Sequence, residues 1–248
     1  FYNQLIHNNP YSESLWFNLA GMYCKIERWD KAINCYDYAL AINPCFASAY
    51  FNKANELKEI GRDKEASTLY KKVIDINPNY CEAYSSLGAL FRKQGEVEKA
   101  IENYKKALDI NPKYPEAHFL LGNAKQDLLE YDEALDHYRD AIDIKFDYAQ
   151  AFAGMGDVYR DKDYSQEALK SYQIATDFDP NCIETLSNLA SAHKVNGELE
   201  ISIKTFQKAL KMDPERAETY SDFAMALADN QQKEEAFEAH EIAIKKQP

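Results

Sequence analysis

The chain has 248 residues, 46% hydrophobic and 28% charged, which is the balance of a globular protein long enough to bury a sizeable core. Asp and Glu outnumber Lys and Arg by 41 to 29, and the net charge of −12 disfavours nucleic acid and anionic membranes as partners, both being polyanions. Eight glycines and eight prolines are too few for a turn-rich all-β chain, no apolar run nears the roughly 18 residues of a membrane span, and five cysteines without a CxxC pair suit a reducing, cytoplasmic compartment.

Proline punctuates the chain. Seven of the eight fall at 10, 44, 78, 112, 180, 214 and 248, always 34 residues apart except for one double gap, where Phe146 fills the missing place; only Pro115 lies off this grid. Taking Glu13 as place 1 of a 34-residue unit, other columns obey the same period. Place 8 is small (Ala20, Ala54, Gly88, Gly122, Gly156, Ala190, Ala224), as is place 20 (Ala32 through Ala236, with Ser202 as the exception). Place 27 holds Ala or Val, and place 24 runs Tyr36, Tyr70, Tyr104, Tyr138, Tyr172, Phe206 and His240.

In chain order, residues 1–12 read as the tail of an earlier helix, since Tyr2, Leu5 and Pro10 occupy places 24, 27 and 32. Within 13–46, the large residues Trp16, Leu19 and Tyr23 recur at helical spacing and predict a helix A from Glu13 to about Lys25. A break near Glu27–Trp29 follows, where later units carry Gly61, Gly95 and Gly197. Helix B then runs from Asp30 to about Ile42 and is stopped by Asn43-Pro44, because proline cannot continue the ladder and disfavours helix in the residue before it. The same hairpin is predicted over 47–80, 81–114, 115–148, 149–182, 183–216 and 217–248, as one array over 13–248. Lys53, Lys125, His118, His193 and Ser202 depart from their columns. The junction at Phe146 lacks its proline, and an ordinary helix end is expected there. In the last helix, Phe237 and Ile244 stand where upstream residues such as Ile33 and Leu40 should be covered by the following unit. End-to-end self-association through them is therefore expected.

Small residues at places 8, 20 and 27, an aromatic at 24 and proline at 32 resemble the tetratricopeptide repeat (TPR) family, long bacterial arrays among them. The resemblance spans essentially the whole chain. It implies an all-α, right-handed superhelical solenoid of helix-turn-helix repeats with helix A lining a concave groove, and a role in protein binding.

No catalytic motif accompanies the repeat: GxGxxG, Walker A, HExxH and GxSxG are all missing. The chain reads as no enzyme, with no cofactor and no metal ligand set. The histidines are not at metal-ligand spacings in sequence, and His118, His193 and His240 sit in aromatic columns where packing accounts for them.

The groove offers the candidate site. Places 6 and 9 carry the amides Asn18, Asn52, Asn55, Asn123 and Asn188, and an amide both donates to and accepts from a peptide group. Place 5 adds Phe17, Phe51 and Phe119 as apolar pockets, and place 12 adds Lys58, Arg92, Arg160 and Lys194 to pair a ligand carboxylate or phosphate. The two-carboxylate clamp of co-chaperone TPR domains needs Lys at place 5 and Lys and Arg at places 2 and 6. None is present, so chaperone-tail binding of that type is not expected. The expected function is a scaffold holding an extended peptide or partner protein in the groove, with Asn18 and Asn52 bearing on affinity and not on stability. Two rival readings are a substrate-recruiting arm of a larger enzyme and a self-assembling scaffold. The amide ladder partly resembles that of O-GlcNAc transferases, broken here at Ser86, Leu120 and Gly154.

Overall fold

The computed structural model describes residues 9–246, so the expected helix tail over residues 1–8 and the terminal Pro248 lie outside the described residues. Among the described residues there are fourteen helices and no strand. They are α1 (Glu13–Cys24), α2 (Trp29–Ile42), α3 (Ala47–Glu59), α4 (Asp63–Ile76), α5 (Cys81–Lys93), α6 (Val97–Ile110), α7 (Pro115–Asp127), α8 (Tyr131–Ile144), α9 (Ala149–Asp161), α10 (Ser165–Phe178), α11 (Ile183–Val195), α12 (Leu199–Met212), α13 (Ala217–Asp229) and α14 (Lys233–Lys246). Odd-numbered helices are the A helices of the repeats and even-numbered ones the B helices, so the protein is an all-α repeat solenoid.

One backbone device makes every A-to-B turn. Glu27, Gly61, Gly95, Leu129, Asp163, Gly197 and Gln231 all have positive φ, between 55° and 80°. The next N–H in each turn reaches back to the carbonyl five residues earlier, as from Arg62 to Leu57 at 2.7 Å and from Tyr164 to Tyr159 at 2.8 Å. This closes the orphan carbonyls of the helix end. Glycine takes this conformation without the Cβ penalty, which explains three of the seven places. The B-to-A turns use a second device. The side chains of Asn43, Asn77, Asn111, Asp179 and Asp213 each accept the backbone N–H two residues on, at 2.9–3.2 Å.

The chain forms two compact units, Phe1–Leu120 and Leu121–Pro248. In both, the core is a small residue of helix A against the tyrosine of helix B. In the first, a Cβ added to Gly88 would stand 2.6 Å from the Tyr104 ring. In the second, the same addition at Gly122 or Gly156 would stand 2.6 Å from Tyr138 or Tyr172. Overlap at that distance forces the ring to move, so the column is small because the tyrosine occupies the space.

The departures from the pattern find local partners. Lys53 bonds Asp37 at 2.5 Å, and Lys125 bonds Glu130 and Glu133 at 2.5 and 2.7 Å, which lets an ammonium sit at an apolar place. His118 Nε2 lies 3.2 Å from the Pro112 carbonyl, much as the Trp16 indole N–H donates to the Pro10 carbonyl at 2.9 Å. The histidine thus does the tryptophan's work at the same place of the repeat. His193 pairs with Glu198 at 2.5 Å, and His137 stands 3.7 Å from Asp140. At the proline-free junction α8 still ends at Ile144 and α9 starts at Ala149, with Phe146 74% exposed. Phe237 and Ile244 are 67% and 70% exposed, whereas Ile203 and Leu210 one repeat earlier are buried.

Candidate functional site

Each B-helix tyrosine ends in a hydroxyl that apolar burial leaves in need of a partner. In the first unit, the Tyr70 hydroxyl donates to Asn55 Oδ1 at 2.6 Å. Ser86 of the next repeat bonds the same hydroxyl, and burial pushes its pKa up to about 12. The Tyr36 hydroxyl stands 3.7 Å from Cys24 Sγ and faces Asn52 of the next repeat. Burial raises both groups, the Cys24 thiol to about 11. Tyr70 thus lies between place 9 of its own repeat and place 6 of the next, and Tyr36 between places 12 and 6. Because the Asn55 oxygen already accepts the tyrosine proton, its Nδ2 hydrogens are what the amide can offer a ligand carbonyl.

In the second unit, Tyr138 Oη lies 2.7 Å from Asn123 Oδ1 and 3.0 Å from Gln126 Oε1. The next place 6 is Gly154, where an added Cβ would meet Tyr138 Cζ at 2.7 Å. Repeat 5 departs from the amide scheme. There the Tyr172 hydroxyl donates to the carboxylate of Asp157 at 2.7 Å, and Arg160 Nη1 and Asn188 Nδ2 add donors at 2.9 and 3.3 Å. Burial still raises the Asp157 carboxyl, outweighing the lowering by the Tyr172 hydrogen bond and the Arg160 charge. Arg160 also reaches Tyr172 Oη at 3.0 Å and Asp161 at 3.3 Å.

Beside this cluster lies a cavity of about 170 Å³ walled by Ala168, Tyr172, Ala192 and Val195 and bordered by Arg160 and Asn188. Asn196 braces it: its Nδ2 donates to the Ser165 and Ala192 carbonyls at 3.0 and 2.8 Å, and its Oδ1 accepts from Gln166 at 2.7 Å.

The expected residues divide accordingly. Arg160 and Asn188 come together at the cavity, while Asn55 and Asn123 become tyrosine-oriented amides. Asn18 is exposed. Asn52 faces the Tyr36 hydroxyl of the preceding repeat. Phe17 and Phe51 are half-buried, packing on Tyr36 and Phe46 and on Tyr70 and Tyr80 at centroid distances of 5.0–5.8 Å. Phe119 and Arg92 are half-buried, and Lys58 stands 3.5 Å from Glu59. Lys194 faces Asp222, whose carboxyl is raised by burial despite that charge. The sequence reading missed the tyrosine hydroxyls, Asp157 and Asn196. The first had a signal, a polar tip recurring every 34 residues.

Comparison with known proteins identifies the repeat and its fold. Tetratricopeptide repeat family models match residues 14–44, 54–95, 88–128, 115–148 and 183–216, and the chain belongs to that family. No curated protein matches it. Among solved structures, a chain of the APC/C hetero-tetramer Cut9–Hcn1 is similar at TM-score 0.82 and 16% identity, covering 91% of this chain and 45% of that one. PilF of Pseudomonas aeruginosa gives 0.74 and 15%, covering 88% and 97%. MamA gives 0.55 and 27%, covering 66% and 96%. The chain thus spans less than half the length of the first of these. A TPR fold supports a protein–protein interaction scaffold in general terms. Among the described residues no helix is long and apolar enough to cross a membrane, and all five cysteines are free thiols.

Proposed function

We propose that the chain is a non-catalytic scaffold that holds an extended segment of a partner protein along the face formed by its A helices. The observation that carries this is the tyrosine-oriented amide: Tyr70 on Asn55 in one unit, Tyr138 on Asn123 in the other. Each amide is held in one orientation by a buried hydroxyl, so little side-chain entropy remains to be lost when its Nδ2 meets a peptide carbonyl. Adjacent A helices about 10 Å apart match about three residues of extended chain, so successive repeats can meet successive carbonyls. The reading is indifferent to side-chain identity and suits a scaffold.

The test substitutes Asn55→Asp and Asn123→Asp together. Aspartate keeps the oxygen that accepts the tyrosine proton and removes the donors, and repeat 5 already tolerates it at this place. Partners captured from a lysate by the immobilised wild-type chain, identified by mass spectrometry, should be lost at least about tenfold from the variant. Undiminished capture by a variant with the wild-type circular dichroism would defeat the reading.

A further inference from the structure

We infer that the cavity of repeats 5 and 6 accepts one apolar side chain of a partner segment whose flanking residues are Lys or Arg. This rests on the groove reading above and names the chemistry of what the groove takes.

Size sets the first half of the inference. The cavity measures about 170 Å³, and its walls are the methyls of Ala168 and Ala192, the side chain of Val195 and the ring of Tyr172. An apolar cavity of about 150 Å³ holds a benzene molecule, so this one suits a leucyl or phenyl group. Val195 is 68% exposed, an apolar wall that an inserted side chain would cover.

Charge sets the second half. Arg160 is the one cation among the cavity-lining residues, and its guanidinium already serves Asp157, Asp161 and the Tyr172 hydroxyl. Around it stand Asp157, Asp161, Asp163 and Glu184, the last acting electrostatically on Asp157. One repeat on, Lys194 is matched by Glu218 and Asp222. The local surplus is negative, as is the net charge of −12, and this argues against a ligand carboxylate or phosphate at Arg160 and Lys194. A carboxylate brought here meets more acids than the one guanidinium can neutralise, whereas an ammonium or guanidinium finds partners.

Three blocked, fluorescein-labelled heptapeptides test this by fluorescence anisotropy with the full chain: Gly-Lys-Lys-Leu-Lys-Lys-Gly, its Leu-to-Ala analogue, and the analogue with Glu in place of every Lys. The leucine peptide should bind at least about tenfold more tightly than the alanine one, full burial of three extra carbons being worth up to about fiftyfold, and the glutamate peptide should not bind measurably. Ser191 also lines the cavity, and Ser191→Phe, which fills it, should bring the leucine peptide to the level of the alanine one. Val195→Asn, at an exposed position, should do so in part should the first variant not fold. Asp161→Asn with Asp163→Asn should weaken both basic peptides alike. Equal binding of the leucine and alanine peptides would reveal charge attraction alone and overturn the inference, as would glutamate-peptide binding equal to lysine. If no basic peptide binds while capture of partners still depends on Asn55 and Asn123, the cavity inference falls and the groove reading stands.

Discussion

Repeat 2 and repeat 5 are built on one plan and differ at one atom. In both, a buried B-helix tyrosine donates its hydroxyl proton to the place-9 side chain of helix A, at 2.6 Å in Tyr70–Asn55 and 2.7 Å in Tyr172–Asp157. Exchanging the amide NH₂ for a carboxylate oxygen changes what surrounds it. Asn55 keeps donors for a ligand, whereas Asp157 only accepts and has gathered Arg160 and Asn188 around itself. The first arrangement suits recognition of any backbone. The second spends its polar groups internally and leaves an apolar cavity beside them. The repeat thus accepts either side chain at this place with the tyrosine in the same role.

The tyrosines themselves provide the largest test of that contrast. Tyr172→Phe takes one of three donors from a buried carboxylate and should cost about 1–3 kcal/mol in urea unfolding, while Tyr70→Phe, which takes the hydroxyl from a neutral amide oxygen, should cost about 1 kcal/mol. Equal losses would show that the charge of Asp157 is not borne by its tyrosine. The turns come next. Gly61 and Asp163 share a left-handed conformation, at φ 78° and 61°. Gly61→Asp should therefore destabilise by up to about 1 kcal/mol, and Asp163→Gly should return a similar amount. The smallest effect is Asp157→Asn, which gives repeat 5 the amide of repeat 2. Burial raises the folded-state pKa of Asp157. Relative to asparagine, the native carboxyl is therefore no worse at pH below the ordinary value of about 4, and becomes unfavourable as pH rises through the raised value. The variant should be more stable than the native protein at pH 7 by less than about 1 kcal/mol, and the difference should vanish in acid. A difference independent of pH would mean that the charge is not the cause.

The same contrast explains what could be read from the sequence. The hairpins were legible because every signal is repeated: Glu13 starts α1 and Ile42 ends α2 as the apolar stripe and Asn43-Pro44 predict, to within one or two residues. Even the proline-free junction follows, since Lys145, at φ −132° and ψ 93°, takes the conformation of Asn43 at −127° and 91° without needing its side-chain bond. The site was less legible. Periodicity sorts residues by face, so Asn52 and Asn55 read as outward-facing amides, and the tyrosine column read as core alone. A tyrosine does both jobs, burying its ring and sending its hydroxyl through to the far side of the packing layer. The packing of Phe17 and Phe51 was not legible either: helical spacing puts them at the edge of the stripe and leaves open whether they face the groove or tilt onto Phe46 and Tyr80 of the following turn, as they do. The cavity depends on the meeting of α9, α10 and α11 and has no linear signature.

Gly154 carries one further consequence. In repeats 2 and 3 the place-6 side chain acts on the tyrosine hydroxyl of the preceding repeat, Asn52 on Tyr36 and Ser86 on Tyr70. Gly154 has no side chain to do so and meets Tyr138 through close packing alone. A linear stack opens by nearest-neighbour steps, each weighted by the interface it must break. The Tyr138–Gly154 contact gives up no polar link at this place, so the polar ties of repeat 5 to repeat 4 lie at the helix ends, from Lys162 to Asp132 at 2.7 Å and from Gln126 to Asp161 at 3.3 Å, and removing them with Lys162→Ala and Gln126→Ala should let amide hydrogens at this boundary exchange ahead of those in the hairpins on either side.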